Sequence, residues 1–171
     1  MSEAEAPRRK ICLIGDFGVG KTSLARRFVH QTFSDNYLTT VGVKVDTKDV
    51  TLPDGRPLRL IVWDVAGTDT ATETFKKYLR GAAGLLMVAD GTRVDTLERV
   101  LALREQLRDN CQGIPFVGLL NKRDLGPLWE VDAVRLALLR EQGQSWYLTS
   151  ALSGENVERA FLDLAARTMP P

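Results

Sequence analysis

The segment Gly15-Asp16-Phe17-Gly18-Val19-Gly20-Lys21-Thr22 satisfies the pattern G-x-x-x-x-G-K-[ST]. Glycines let a backbone wrap closely around a pyrophosphate, so the N–H groups of Asp16, Phe17, Gly18, Val19 and Gly20 can turn inward as an anion-binding concavity. Lys21 is long enough to reach the β- and γ-phosphates, and the Thr22 hydroxyl is a suitable ligand for Mg²⁺. Ser23 follows at the start of a predicted helix, whose N-terminal dipole would point at the same phosphates. The position of the string carries the reading, because it stands between a predicted strand, Lys10–Gly15, and a predicted helix, Thr22–Gln31.

A second constellation could read a base. Asn121-Lys122-Arg123-Asp124 stands just past a predicted buried strand, Pro115–Asn121, and open parallel sheets bind ligands at the carboxyl ends of their strands. The Asp124 carboxylate can accept two hydrogen bonds at once, from guanine N1–H and the exocyclic N2 amine. Adenine offers an acceptor at N1 and no amine at C2, so the same carboxylate rejects it; wrong bases leave buried groups unpaired. Ser150-Ala151-Leu152, ending the last predicted strand, can offer backbone N–H groups to guanine O6. Asp64-Val65-Ala66-Gly67 ends another strand, where a carboxylate can help fix Mg²⁺.

These residues need a scaffold, and short apolar runs alternating with amphipathic segments supply one. Strands are predicted at Lys10–Gly15, Val41–Leu52, Leu58–Asp64, Leu85–Asp90, Pro115–Asn121 and Trp146–Ser150. Helices are predicted at Thr22–Gln31, Thr72–Arg80, Thr96–Arg108, Val131–Glu141 and Glu155–Arg167. The short turn Pro53-Asp54-Gly55-Arg56-Pro57 makes the second and third strands antiparallel. The order β-α-β-β-α-β-α-β-α-β-α therefore predicts a mostly parallel six-stranded sheet, with one antiparallel edge strand and helices on both faces.

Composition excludes several alternatives. The 171 residues fit one domain, 1–171, with residues 1–8 expected to be flexible. Lys and Arg number 23 against 22 Asp and Glu, a balance that asks for neither nucleic acid nor an anionic membrane. Cys12 and Cys111 form no metal-binding pattern, and His30, the sole histidine, rules out multi-histidine metal sites. No apolar run approaches the ~18 residues needed to span a bilayer. The ending Thr168-Met169-Pro170-Pro171 has no cysteine to prenylate. A cytoplasmic monomer without a lipid anchor is the expectation.

Taken together, these motifs resemble the Ras superfamily of small GTPases over roughly Arg9 to Ala166, with wording most similar to the Rab branch: GDFGVGKTSLARRF, TTVGV, WDVAG, RGAAG, NKRDL and SALSGENVERAF. The resemblance implies a P-loop GTPase fold that binds GTP or GDP with Mg²⁺ and hydrolyses GTP. Its GTP form would be recognised by an effector protein, with exchange or activating factors as further partners. It also implies roles for residues that spacing alone leaves silent. Thr40 matches a threonine that binds Mg²⁺ and contacts the γ-phosphate, Asp64 the acidic residue holding Mg²⁺ through water, and Gly67 the glycine whose N–H senses the γ-phosphate. Phe33 matches an aromatic residue beside the base, and Tyr37 one near the phosphates.

The departures bear on activity. Thr68 stands where most relatives carry the glutamine that orients the attacking water, so it is at best a weak substitute, and slow intrinsic hydrolysis is expected. Phe17 replaces a glycine or serine near the γ-phosphate; pointing inward, its ring would obstruct an arginine supplied by a partner. Val45 stands where Rab members have phenylalanine in an effector-facing aromatic triad, although Trp63 and Tyr78 fit the other two places. The missing C-terminal cysteines suggest a prokaryotic or otherwise unanchored relative, or a shortened chain. Two other readings stay open: a nucleotide-locked interaction module that hardly hydrolyses, and a metabolic P-loop kinase. The kinase would need an arginine-rich lid, and no arginine-dense insertion exists in the sequence.

Overall fold

A computed structural model describes residues 4–36 and 39–171. The elements run β1 (Arg8–Ile14), α1 (Lys21–His30), β2 (Val43–Thr51), β3 (Pro57–Val65), α2 (Glu73–Tyr78), β4 (Gly84–Asp90), α3 (Val94–Gln106), β5 (Phe116–Asn121), a 3₁₀ turn (Arg123–Leu128), α4 (Ala133–Glu141), β6 (Trp146–Leu148) and α5 (Val157–Arg167). The six strands order as β2-β3-β1-β4-β5-β6. Among the described residues only β2 runs antiparallel to its neighbour, from Val43 opposite Val65 to Thr51 opposite Pro57. The expected P-loop GTPase architecture is the one found.

Strand burial follows from this order. β4 lies mid-sheet beneath helices on both faces, and all its residues, Gly84–Asp90, are buried. β2, at the edge, buries none of its residues fully, and Val45 is exposed. One face of the sheet packs α1 and α5, where Leu24, Phe28, Phe161 and Leu164 are all buried. The Phe28 and Phe161 rings stack with centroids 4.1 Å apart. Each such phenylalanine stabilises the fold by about 3–5 kcal/mol relative to alanine. The other face packs α2, α3 and α4 through Phe75, Leu97, Val100, Leu103 and Leu139.

Helix starts shift by one or two residues where a side chain caps instead of entering the helix. Thr72 Oγ1 accepts from the Phe75 N–H at 3.1 Å, so α2 begins after it. Asp132 caps α4 in the same way, accepting from the Arg135 N–H at 2.7 Å. Among the described residues no helix is long and apolar enough to cross a membrane.

Candidate functional site

The loop between β1 and α1 is an open nest of donors. Among the described residues, none of Gly18, Val19 and Gly20 gives its backbone N–H to another protein group. Gly18 and Gly20 have φ of 71° and 100°, left-handed values that glycine adopts at least cost. Gly20 is constrained further, because a Cβ there would stand 2.3 Å from the Asn121 Nδ2. Lys21 is buried beneath this loop and donates to the Gly15 and Asp16 carbonyls at 3.1 and 2.9 Å. Burial pushes its pKa down to about 8, while Asp64 and Asp16 pull the other way.

Beside Lys21 three oxygen-bearing side chains converge. The Thr22 hydroxyl donates to Asp64 Oδ2 at 2.5 Å and lies 2.7 Å from the Thr40 Oγ1. Asp64 is only 2% exposed, and its other oxygen, Oδ1, is buried with no hydrogen-bond partner among the described residues. Burial raises its pKa, against the opposing pull of Thr22 and Lys21. A buried carboxylate oxygen without a donor, beside two hydroxyls, fits a hard divalent cation.

Gly67 closes over the phosphate loop. A Cβ at this position would lie 2.7 Å from the Phe17 N and 2.8 Å from its Cα, so no larger residue fits without displacement. Thr68 donates its N–H to the Gly15 carbonyl at 3.1 Å, but its hydroxyl turns to Thr70, donating to that carbonyl at 2.9 Å. Phe17 is 59% exposed and sits at the rim of a hollow of about 140 Å³ lined also by Lys21, Thr22, Ser23, Thr40 and Gly67.

A second hollow, about 250 Å³, adjoins the first through Gly20 and Ser23, and Phe33, Asn121, Lys122, Asp124, Ala151 and Leu152 line it. Ser150 donates its hydroxyl to Asp124 Oδ1 at 2.8 Å, fixing the carboxylate. Its own N–H goes to Glu155, whereas the Ala151 and Leu152 N–H groups have no protein partner among the described residues. Lys122, in a left-handed conformation, reaches Asp90 Oδ2 at 3.0 Å. A larger hollow, about 640 Å³, lies at the amino ends of β4 and β5 and includes none of the sequence-predicted site residues.

The fold thus gathers every described candidate at the carboxyl ends of β1, β3, β5 and β6; Tyr37 lies outside the described residues. Several contributors gave no signal in the sequence. Arg27 of α1 donates to the Ala151 and Leu152 carbonyls at 2.8 and 2.6 Å, holding the loop after β6. Asp35 and Leu125 line the second hollow. Asp90, 1% exposed, gathers Thr92, Arg93 and Lys122 around one carboxylate. Val45 pairs with Trp63 in the β2–β3 ladder, which sets the residue that departs from the effector-facing aromatic triad beside one that fits it.

A phosphate-loop motif between the first strand and helix, with two adjoining hollows at the carboxyl ends of the strands, defines a P-loop protein of the GTPase fold. The Ras family model matches residues 10–169 of the chain. The chain is 38% identical over 154 residues to Ras-related protein YPTC6 of Chlamydomonas reinhardtii, covering 89% of this chain and 71% of that one. It is 37% identical over 162 residues to Ras-related protein Rab-13 of Canis lupus familiaris, covering 91% and 77%. With RABA2b of Arabidopsis thaliana it shares 37% over 154 residues. The protein belongs to the Ras family and is Rab-like, a group of small GTPases that bind guanine nucleotide and act as molecular switches.

Proposed function

We propose that the protein is a cytoplasmic, monomeric GTP/GDP switch whose single domain hydrolyses GTP slowly on its own and engages an effector in its GTP form. The observation that carries this reading is the adjoining pair of hollows, one lined by Lys21, Thr22 and Thr40, the other by Asn121 and Asp124. Their shared wall at Gly20 and Ser23 suits a ligand with phosphates at one end and a purine at the other. In this reading Asp124 accepts from guanine, and the free N–H groups of Ala151 and Leu152 meet its O6. Lys21 and the N–H groups of Gly18, Val19 and Gly20 bind the phosphates; the Phe17 N–H, expected among them, is taken by the Asp16 carboxylate. Thr22, Thr40 and Asp64 would hold Mg²⁺, which when bound neutralises phosphate charge.

The switch arises because Thr40 and the Gly67 N–H gain contacts that only a γ-phosphate supplies, and differential contact is what shifts a population. Slow hydrolysis follows from Thr68, whose hydroxyl is engaged with Thr70. That same engagement favours a second reading, a module held in its GTP state. Denaturing the purified protein and identifying the released nucleotide by chromatography separates the readings. GDP supports the working switch, GTP the locked module, and ATP or ADP overturns both.

A further inference from the structure

The phosphate loop is gripped from α3 and from the residue just before it by groups that nucleotide chemistry does not require. Arg99 Nη1 donates to Asp16 Oδ2 at 2.5 Å, across 83 residues of sequence. Asp16 Oδ1 in turn accepts the Phe17 N–H at 2.8 Å. From the other side Arg93 Nη2 donates to the Phe17 carbonyl at 3.1 Å. Both backbone polar groups of Phe17 are therefore committed, one directly to an arginine and one through a carboxylate that an arginine holds. Burial would raise the Asp16 pKa, but Arg99 and the Phe17 N–H outweigh it and keep the carboxyl below its ordinary range.

The arginines stand on a stiff base. Thr96, wholly buried, accepts the Asp90 N–H at 2.8 Å and donates to the Arg93 carbonyl at 2.7 Å, fastening the start of α3 to the end of β4. Arg93 Nε also binds Asp90 Oδ2 at 3.1 Å, and Arg99 Nη2 binds Asp95 at 3.2 Å. What these arginines fix is the residue on which Gly67 rests, since a Cβ on Gly67 would lie 2.7 Å from the Phe17 N. A shift of Phe17 therefore shifts the support beneath Gly67.

We infer that Arg99 and Arg93 are positioning residues that act through Asp16 and Phe17 to set where the Gly67 N–H stands, and so how strongly the protein prefers a nucleoside triphosphate to a diphosphate. The inference rests on the proposed contact between Gly67 and the γ-phosphate. A brace that merely held the fold together would weaken both nucleotides alike. A brace that sets Gly67 changes the triphosphate selectively, because the diphosphate lacks the group that Gly67 meets.

Titrations with labelled GDP and a labelled non-hydrolysable GTP analogue, at saturating Mg²⁺, separate the two. Arg99→Gln is expected to lower the preference for the triphosphate by roughly three- to tenfold, the scale of losing a half-exposed charge-assisted hydrogen bond. Arg99→Lys keeps the charge and should recover part of that loss. Asp16→Asn, which replaces one of the two oxygens that Phe17 and Arg99 separately use with an NH₂ donor, should act in the same direction, and the double variant should be no worse than the worse single. Equal loss for both nucleotides with a lowered Tm, an unchanged ratio, or additive effects would overturn the inference. If Arg99→Gln does not fold, Arg99→Lys and Asp16→Asn decide the same question. Failure of the unmodified protein to prefer guanine over adenine nucleotides would instead sink the functional reading beneath it.

Discussion

Asn121 donates its side-chain N–H to the Val19 carbonyl at 3.0 Å, tying the end of β5 to the phosphate loop across 102 residues of sequence. Its Oδ1 accepts from the Thr149 hydroxyl at 3.2 Å, so one 2%-exposed amide joins three segments of the site. The position of the second hollow relative to the first is thus set by a side chain as well as by strand order.

Replacing Asn121→Ala should cost about 1–3 kcal/mol, because it leaves the buried Val19 carbonyl without that donor. Urea denaturation of the two proteins measures the loss. Bound GDP should also dissociate faster from the variant, since the two grooves are no longer held in register. An unchanged midpoint would mean that water replaces the amide without cost.

Asp124→Asn should convert base preference. Ser150 holds Asp124 Oδ1, and an asparagine can keep its oxygen there while presenting its NH₂ to the base. That group can serve the C2 oxygen of xanthine but repels the guanine amine. Affinity for GTP should fall by at least about a hundredfold, with xanthosine triphosphate gaining relative to it. Competition titrations of GTP, ATP and xanthosine triphosphate check this; ATP competing equally in the unmodified protein would refute base reading by Asp124.

Lys21 gives a pH signature with a fixed sign. Its pKa falls from the ordinary 10.5 to about 8 in the fold. Between those values the unfolded chain binds more protons than the folded one, so stability of the nucleotide-free protein should rise with pH across that window. Nucleotide binding should run the other way, because phosphates favour the ammonium. At pH 8, binding is expected to draw up about half a proton at Lys21. Calorimetry in buffers of different ionisation heat reads this uptake, and Lys21→Met should abolish it.

Periodicity revealed the sheet and its helices because burial imposes it: Leu24 and Phe28 share a buried face of α1, as Leu97, Val100 and Leu103 do on α3. Motif spacing singled out the residues around Lys21 and Asp124, which the fold brings to two adjoining hollows, because local backbone chemistry demands those residue types in sequence. What stayed hidden depends on tertiary placement. The Asp16–Arg99 pair and the reach of Arg27 to the loop after β6 join residues with no pattern between them. The 3₁₀ turn Arg123–Leu128 was equally illegible, since it contains Pro127 and buries no side chain. His30, whose side chain is more than half exposed, lies 3.6 Å from Asp46.

Thr68→Gln should raise intrinsic GTP hydrolysis only modestly, with a larger gain when Phe17→Gly is added. Hydrolysis in this fold depends on positioning water and stabilising charge, so a missing positioning group lowers the rate directly. The Thr68 hydroxyl donates to the Thr70 carbonyl and accepts the Thr70 N–H at 3.1 Å, which keeps it in its own turn. A glutamine there loses that turn but can both accept from water and donate to phosphate. It still has to work beside Phe17, which is 59% exposed at the rim of the phosphate hollow. Glycine at position 17 opens that rim while leaving the backbone on which Gly67 rests. Single-turnover hydrolysis by the four proteins, at saturating Mg²⁺, measures both effects. If the unmodified protein matches or beats Thr68→Gln, water is positioned by a residue other than Thr68, and the predicted slowness has lost its cause.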